Sequence, residues 1–223
     1  LDQVLFYRRS VVEEAGLTDP YELYKNGNWN WDTFLDMCDK FQNSGDGKYS
    51  TDGYQVPDKL VITTGVPMIG IENGKLVSNL YNANIERGID LVYTLKKEDY
   101  MYPRDVLNGW AVSYKAWMVG DTLFFGDGMW RWDETFSGYY TKLGWDEDEV
   151  FFVPYPKDPN SDVYYQSMKN DAYMLCGGST NKEGFAAWTD CVLATSNDPD
   201  VINVAREKRK IDYFYSDAML DFE

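Results

Sequence analysis

An α/β fold, with a parallel or mixed central sheet and helices on both faces, is what this sequence predicts. Three observations carry that expectation. Short apolar runs of strand character alternate with helical patterns, the order that builds a sheet covered by helices. Trp31, Phe34, Leu35, Cys38 and Phe41 recur at helical spacing, which marks an amphipathic helix. Helix-start signals stand at Ser10, Thr180 and Asp198.

The elements follow in order. "VLFYRR", residues 4–9, reads as a short strand. Ser10 and Glu13 have the spacing of a capping box and open a brief helix that Gly16 ends. Asn30 caps the helix through Phe41, since its side chain can accept from the first free N–H groups. "NSGDGKYSTDGYQ", residues 43–55, reads as a polar turn. Its Asp46 and Asp52 lack the alternating ligands and closing glutamate of a calcium loop, so a solvated turn is expected. "LVITTGVPMIGI" is apolar without a clear period and fits helix or strand. Asn73-Gly74 reads as the turn of a small hairpin. Ile85, Ile89, Val92 and Leu95 mark a helix, followed by a polar loop and a helix ending near Gly120. Beyond residue 136 a helical stretch runs to about Leu143, and "EVFFVPYP" is a buried strand stopped by prolines. "DAYMLCGG", residues 171–178, reads as a further strand. Thr180 and Glu183 form a second capping box, and Asp198-Pro199 starts a last helix with proline at its permitted first position.

Composition restricts the chemistry. Among 223 residues there is no histidine, which removes Ser-His-Asp and Cys-His catalysis and nearly all zinc sites. No metal and no cofactor are expected. Cys38, Cys176 and Cys191 lie in apolar periodic contexts without a CxxC and read as buried thiols. A net charge of −16 makes nucleic acid and anionic membranes poor partners. No apolar run is long enough to cross a bilayer, and the first residues lack a signal-peptide pattern. Aromatics reach 17%; tyrosine and tryptophan combine an apolar face with a hydrogen-bonding edge, which suits sugars as well as packing.

The most informative stretch is "GDTLFFGDGMWRWDETF", residues 120–136. Thr122–Phe125 reads as a strand, Gly126-Asp127-Gly128 as a turn, and Trp130 as the opening of a helix. Ligands of α/β folds bind at strand ends. The aromatic pair there is a core plug or a binding platform. Trp130 and Trp132 are the candidate stacking residues, and Arg131 and Asp133 the candidate hydrogen-bonding partners of a sugar's hydroxyl rim.

In their order these motifs resemble the extracytoplasmic solute-binding proteins of ABC sugar importers, the group that includes maltose-binding protein. "VLFYRRSVVEEAGL" is similar to that family's strand and helix ending in "EEAGL"; Trp29, Trp31, Asp32 and Phe34 match a W-x-W-D/E-x-F helix. "GDTLFFGDGMW" fits its pattern of a glycine turn presenting a tryptophan, with Phe124 where methionine is common. "VFFVPYPKDP" and "STNKEGFAAWTDCVL" match a proline-stopped strand and a following helix. The resemblance implies one lobe of a periplasmic-binding-protein-like class II fold. Residues 1–150 would form the second lobe, and residues 151–223 a crossover strand with part of the first, in a fragment lacking most of the N-terminal lobe. It implies a monomeric, non-enzymatic cell-surface lipoprotein or periplasmic protein that binds an oligosaccharide and delivers it to a membrane permease. Trp130 matches the tryptophan that stacks on a sugar ring. The alternative is a glycoside hydrolase, which needs two carboxylates facing each other across the bond; Asp133 and Glu134 are its candidates. A non-catalytic β-sandwich module is opposed by the strong helical patterns.

Overall fold

The structure, a computed structural model, describes residues 3–53, 55–103, 114–146, 148–168 and 172–222. It divides into two compact units, one of Leu1–Arg131 with Asp148–Met168, the other of Trp132–Glu147 with Lys169–Glu223.

The first unit is built on a four-stranded mixed sheet. β1 (Gln3–Arg8), β2 (Tyr49–Gly53), β5 (Thr122–Gly128) and β6 (Val150–Val153) stand in the order β2-β5-β1-β6. β2 and β5 are parallel, while β1 is antiparallel to both β5 and β6. Val4, Leu5, Phe6 and Tyr7 are all buried. Successive strand residues point to opposite faces, so both faces of the sheet are covered. Helices flank it: α1 (Arg9–Glu14), α2 (Pro20–Lys25), α3 (Trp31–Gln42), α4 (Val56–Ile62), α5 (Ala83–Lys97) and α6 (Tyr114–Met118). A hairpin of β3 (Ile69–Glu72) and β4 (Lys75–Ser78) turns at Asn73 and Gly74, both with positive φ.

α3 begins where its cap dictates. Asn30 accepts from the N–H groups of Asp32 and Thr33, and Thr33 returns the bond to the Asn30 backbone. Trp29 and Trp31 both point into the core with their indole N–H groups used, donating to the Pro154 carbonyl at 2.7 Å and the Thr63 hydroxyl at 2.9 Å. Trp29, Phe34 and Phe124 form an aromatic triangle with centroids 5.5–5.9 Å apart, tying α3 to the middle of β5.

In the second unit a π-helical turn (Trp132–Phe136) leads into α7 (Ser137–Leu143), followed by α8 (Lys182–Ser196), α9 (Pro199–Tyr213) and α10 (Asp217–Phe222). Its packed centre is aromatic: Tyr140 lies edge-on to Trp132 and stacks on Phe214 at 5.6 Å. No residue of α8 or α9 is buried, and Trp188, Leu193, Val204 and Ile211 are exposed.

Several expectations are corrected. Residues 49–53 form a buried strand rather than a solvated turn, because Ser50, Thr51 and Asp52 meet β5 and their polar groups find partners inside. Gly126-Asp127-Gly128 continues β5 instead of turning. Ser10 does not cap α1, since its hydroxyl donates to Glu149 at 2.6 Å. Asn181, not Thr180, caps α8 by accepting from the Gly184 N–H. Residues 172–178 form no strand, and Tyr173 and Met174 there are exposed. Cys38 is buried as expected, but Cys176 and Cys191 are exposed.

The parallel pair depends on two glycines. Gly53 and Gly126 are register partners, and a Cβ on Gly53 would lie 2.1 Å from the Gly126 carbonyl oxygen. Gly53 also has φ +130°, a conformation that side chains rarely adopt. Gly53→Ala should therefore cost about 3 kcal/mol or more, from strain and overpacking together. Gly16→Ala has φ +65° but open space around it, and should cost only about 1 kcal/mol. Urea melts of the two variants check the contrast.

Candidate functional site

β2 and β5 run in the same direction, so both end at one edge of the sheet, and each ends in Asp-Gly. Asp52 accepts from the Gly53 N–H at 2.7 Å, and Asp127 accepts from the Gly128 N–H at 2.8 Å. Both aspartates are buried. This edge, at the carboxyl ends of a parallel pair, is where α/β sheets present ligand sites.

From β5 the chain passes through Met129 into a helix that opens at Trp130. One turn is enough to bring Arg131 back over Asp127. The Nε of Arg131 donates to the second Asp127 oxygen at 2.9 Å. Its guanidinium carbon lies 4.2 Å from the centre of the Trp130 ring and 5.9 Å from that of Tyr114. A carboxylate with both oxygens in use thus fixes an arginine, and the arginine covers one face of an indole. Trp130 remains 47% exposed, so its opposite face and edge are open. The terminal nitrogens of Arg131 have no hydrogen-bond partner among the described residues. The result is a flat apolar surface beside a pair of fixed N–H donors.

Behind this edge lies Tyr155. Its hydroxyl is buried without a hydrogen-bond partner among the described residues, and a Cβ on Gly126 would come within 2.4 Å of it. Burial, followed by the charge of Asp127, raises its pKa well above the ordinary phenol value.

The four residues singled out in the sequence fall on both sides of the unit division. Trp130 and Arg131 belong to the first unit, and Trp132 and Asp133 to the second. Trp132 is fully buried, and its N–H donates to the Tyr213 carbonyl at 2.7 Å. Asp133 accepts the Tyr215 hydroxyl at 3.0 Å. Both have structural work within their own unit, and the Glu134 side chain lies outside the described residues. Asp52 and Asp127 escaped the sequence reading because Asp-Gly looks like turn chemistry; the signal was its repetition after two runs of strand residues, "YSTDG" and "FFGDG". Among the described residues no group of three or more metal-ligating side chains occurs.

No protein-family profile matches the chain, and no curated protein does. Solved structures do match. In fold, the chain is similar to the sugar-binding proteins of ABC transporters. An ABC-transporter-associated binding protein of B. animalis subsp. lactis, solved with β-1,6-galactobiose, aligns with TM-score 0.56 and 16% identity over 74% of this chain and 39% of its own. The GacH receptor of Streptomyces glaucescens, solved unliganded and with acarbose, aligns with TM-score 0.56 and 13% identity over 83% and 45%. The sugar-binding protein MalE of Xanthomonas citri aligns with TM-score 0.52 and 14% identity over 70% and 38%. The chain therefore spans less than half the length of these proteins. The expected fold, a mixed sheet flanked by helices of the periplasmic-binding-protein type, is the observed one.

Two outcomes follow from this geometry. Trp132→Ala should cost about 3 to 5 kcal/mol of stability, the range for emptying a buried aromatic site. Trp130→Ala, half exposed, should cost under about 1 kcal/mol; chemical melts of both variants measure the difference. Tyr155 supplies a pH dependence. Folded, its phenol keeps the proton, whereas the unfolded chain releases it above about pH 10. The unfolded state then binds fewer protons, so stability falls as pH rises beyond 10. Tyr155→Phe should flatten that decline in urea midpoints measured between pH 9 and about 11.5.

Proposed function

We propose that this chain is part of an extracytoplasmic solute-binding protein that binds an oligosaccharide and hands it to the permease of an ABC importer. The observation that carries the reading is the open face of Trp130 at the carboxyl edge of β2 and β5, backed by Arg131 and Asp127. A pyranose has apolar C–H faces and a rim of hydroxyls. An indole answers the first and fixed N–H donors the second. Proteins with a similar fold have been solved in complex with β-1,6-galactobiose in one case and acarbose in another. Trp132 and Asp133 hold the start of the second unit through their bonds to Tyr213 and Tyr215.

The role proposed is binding without turnover. Hydrolysis asks for two carboxylates facing each other across the scissile bond; of the candidates Asp133 and Glu134, which are neighbours in the chain, Asp133 accepts from Tyr215. Residues 1–150 are assigned to a second lobe. The exposed apolar side chains of α8 and α9 are assigned to part of a first lobe that further protein covers. Closure of two lobes would bury the sugar and exclude water. The protein is proposed to act as a monomer at the outer side of the membrane, anchored as a lipoprotein or free in the periplasm. Among the described residues no helix is long and apolar enough to cross a membrane.

Calorimetry of the full-length protein against neutral oligosaccharides tests the reading. Trp130→Ala should weaken binding by about 1 to 3 kcal/mol, as for a buried aromatic contact, with the sugar recovered uncleaved. Steady release of reducing ends, abolished by one carboxylate substitution, would contradict it.

A further inference from the structure

Arg131 is the only cation among the described residues placed against the indole face, and its charge is matched at 2.9 Å by Asp127. Asp127 is 2% exposed, while the Arg131 side chain is 18% exposed. The pair is thus shielded from bulk water on the acid side and open on the arginine side, so salt screens it poorly. A second buried carboxylate, Asp52, stands at the end of the neighbouring strand, one position from the Gly53–Gly126 register pair. Arg131 and Asp127 by themselves form a neutral pair at this edge. The donors of Arg131 remain directed hydrogen-bonding groups, but the net attraction that an isolated guanidinium would exert on a ligand carboxylate is cancelled. Asp127 fulfils this role while also holding the Gly128 N–H and the position of Arg131.

We propose that this platform selects uncharged sugars over acidic ones, and that Asp127 is the residue that sets the selection. The inference rests on the carbohydrate reading for the identity of the ligand, but the electrical neutrality of the platform can be measured without any sugar.

The experiment compares wild type, Asp127→Asn and Arg131→Gln, each beside the same protein carrying Trp130→Phe so that the Trp130 fluorescence is obtained by difference. Iodide, caesium and acrylamide serve as anionic, cationic and neutral quenchers. Asparagine keeps an acceptor for the Gly128 N–H, and Arg131→Gln tests the same pair from its more exposed side. Asp127→Asn should raise the ratio of iodide to caesium quenching of Trp130 at least about twofold with acrylamide quenching unchanged, and Arg131→Gln, which also uncovers one indole face, should lower that ratio. Maltose, β-1,6-galactobiose and digalacturonate are then titrated. Wild type should favour the neutral disaccharides, and Asp127→Asn should improve digalacturonate relative to them by about fivefold, the effect of one uncompensated charge at a few ångströms in an aqueous setting. An iodide-to-caesium ratio that neither substitution moves would overturn the proposal, as would wild-type protein that binds digalacturonate as tightly as the neutral sugars. Expected quenching ratios without binding to any of the sugars would support the neutral platform and overturn the carbohydrate reading alone.

Discussion

Gly53 against Gly126 is the contact on which the rest of the structure depends. The two backbones approach so closely that no side chain fits between them, and that approach fixes the parallel register of β2 on β5. Glycine costs conformational entropy in a strand, so its presence at both partners marks a place where closeness matters more than strand propensity. The consequence is local and chemical. Both strands reach the same edge in step, each delivers a buried aspartate there, and β5 delivers Trp130 three residues after its own aspartate.

From that edge, a short chain of interactions builds a surface a sugar could use. Asp127 satisfies one backbone N–H and one arginine; the arginine lies over the indole; the indole shows its other face to solvent. None of these contacts needs a long-range partner, which is why the platform can be presented by the end of one strand and the first turn of one helix. The aromatic triangle of Trp29, Phe34 and Phe124 holds the middle of the same strand from below. Rigidity in the core and exposure at the tip are properties of one element.

Sequence reasoning reached the helices through their periodicity and caps: Asn30 and Asp198 cap α3 and α9 as their side-chain chemistry requires. It also reached the Asn73-Gly74 hairpin and the role of Trp130 as the start of a helix. It misread the two Asp-Gly strand ends, because glycine and aspartate in a row carry the local signal of a turn. Only the pairing of two segments some 70 residues apart turns them into strands, and that pairing is not a local property. The two tryptophans flanking Arg131 show the same limit. Their sequence surroundings are alike, yet Trp132 is swallowed by Tyr140 and Tyr215 while Trp130 stays half exposed. Burial is decided by neighbours distant in sequence.

The central claim, that the open face of Trp130 is where a sugar sits, is tested most directly by watching the indole N–H signals in a nitrogen-edited NMR spectrum during titration with neutral oligosaccharides. The chain has 8 tryptophans, and Trp130→Phe assigns the signal that matters. The account predicts that this signal shifts with a saturating dependence on sugar while those of the buried Trp29, Trp31 and Trp132 stay in place. Saturable binding that leaves the Trp130 signal unmoved would contradict it.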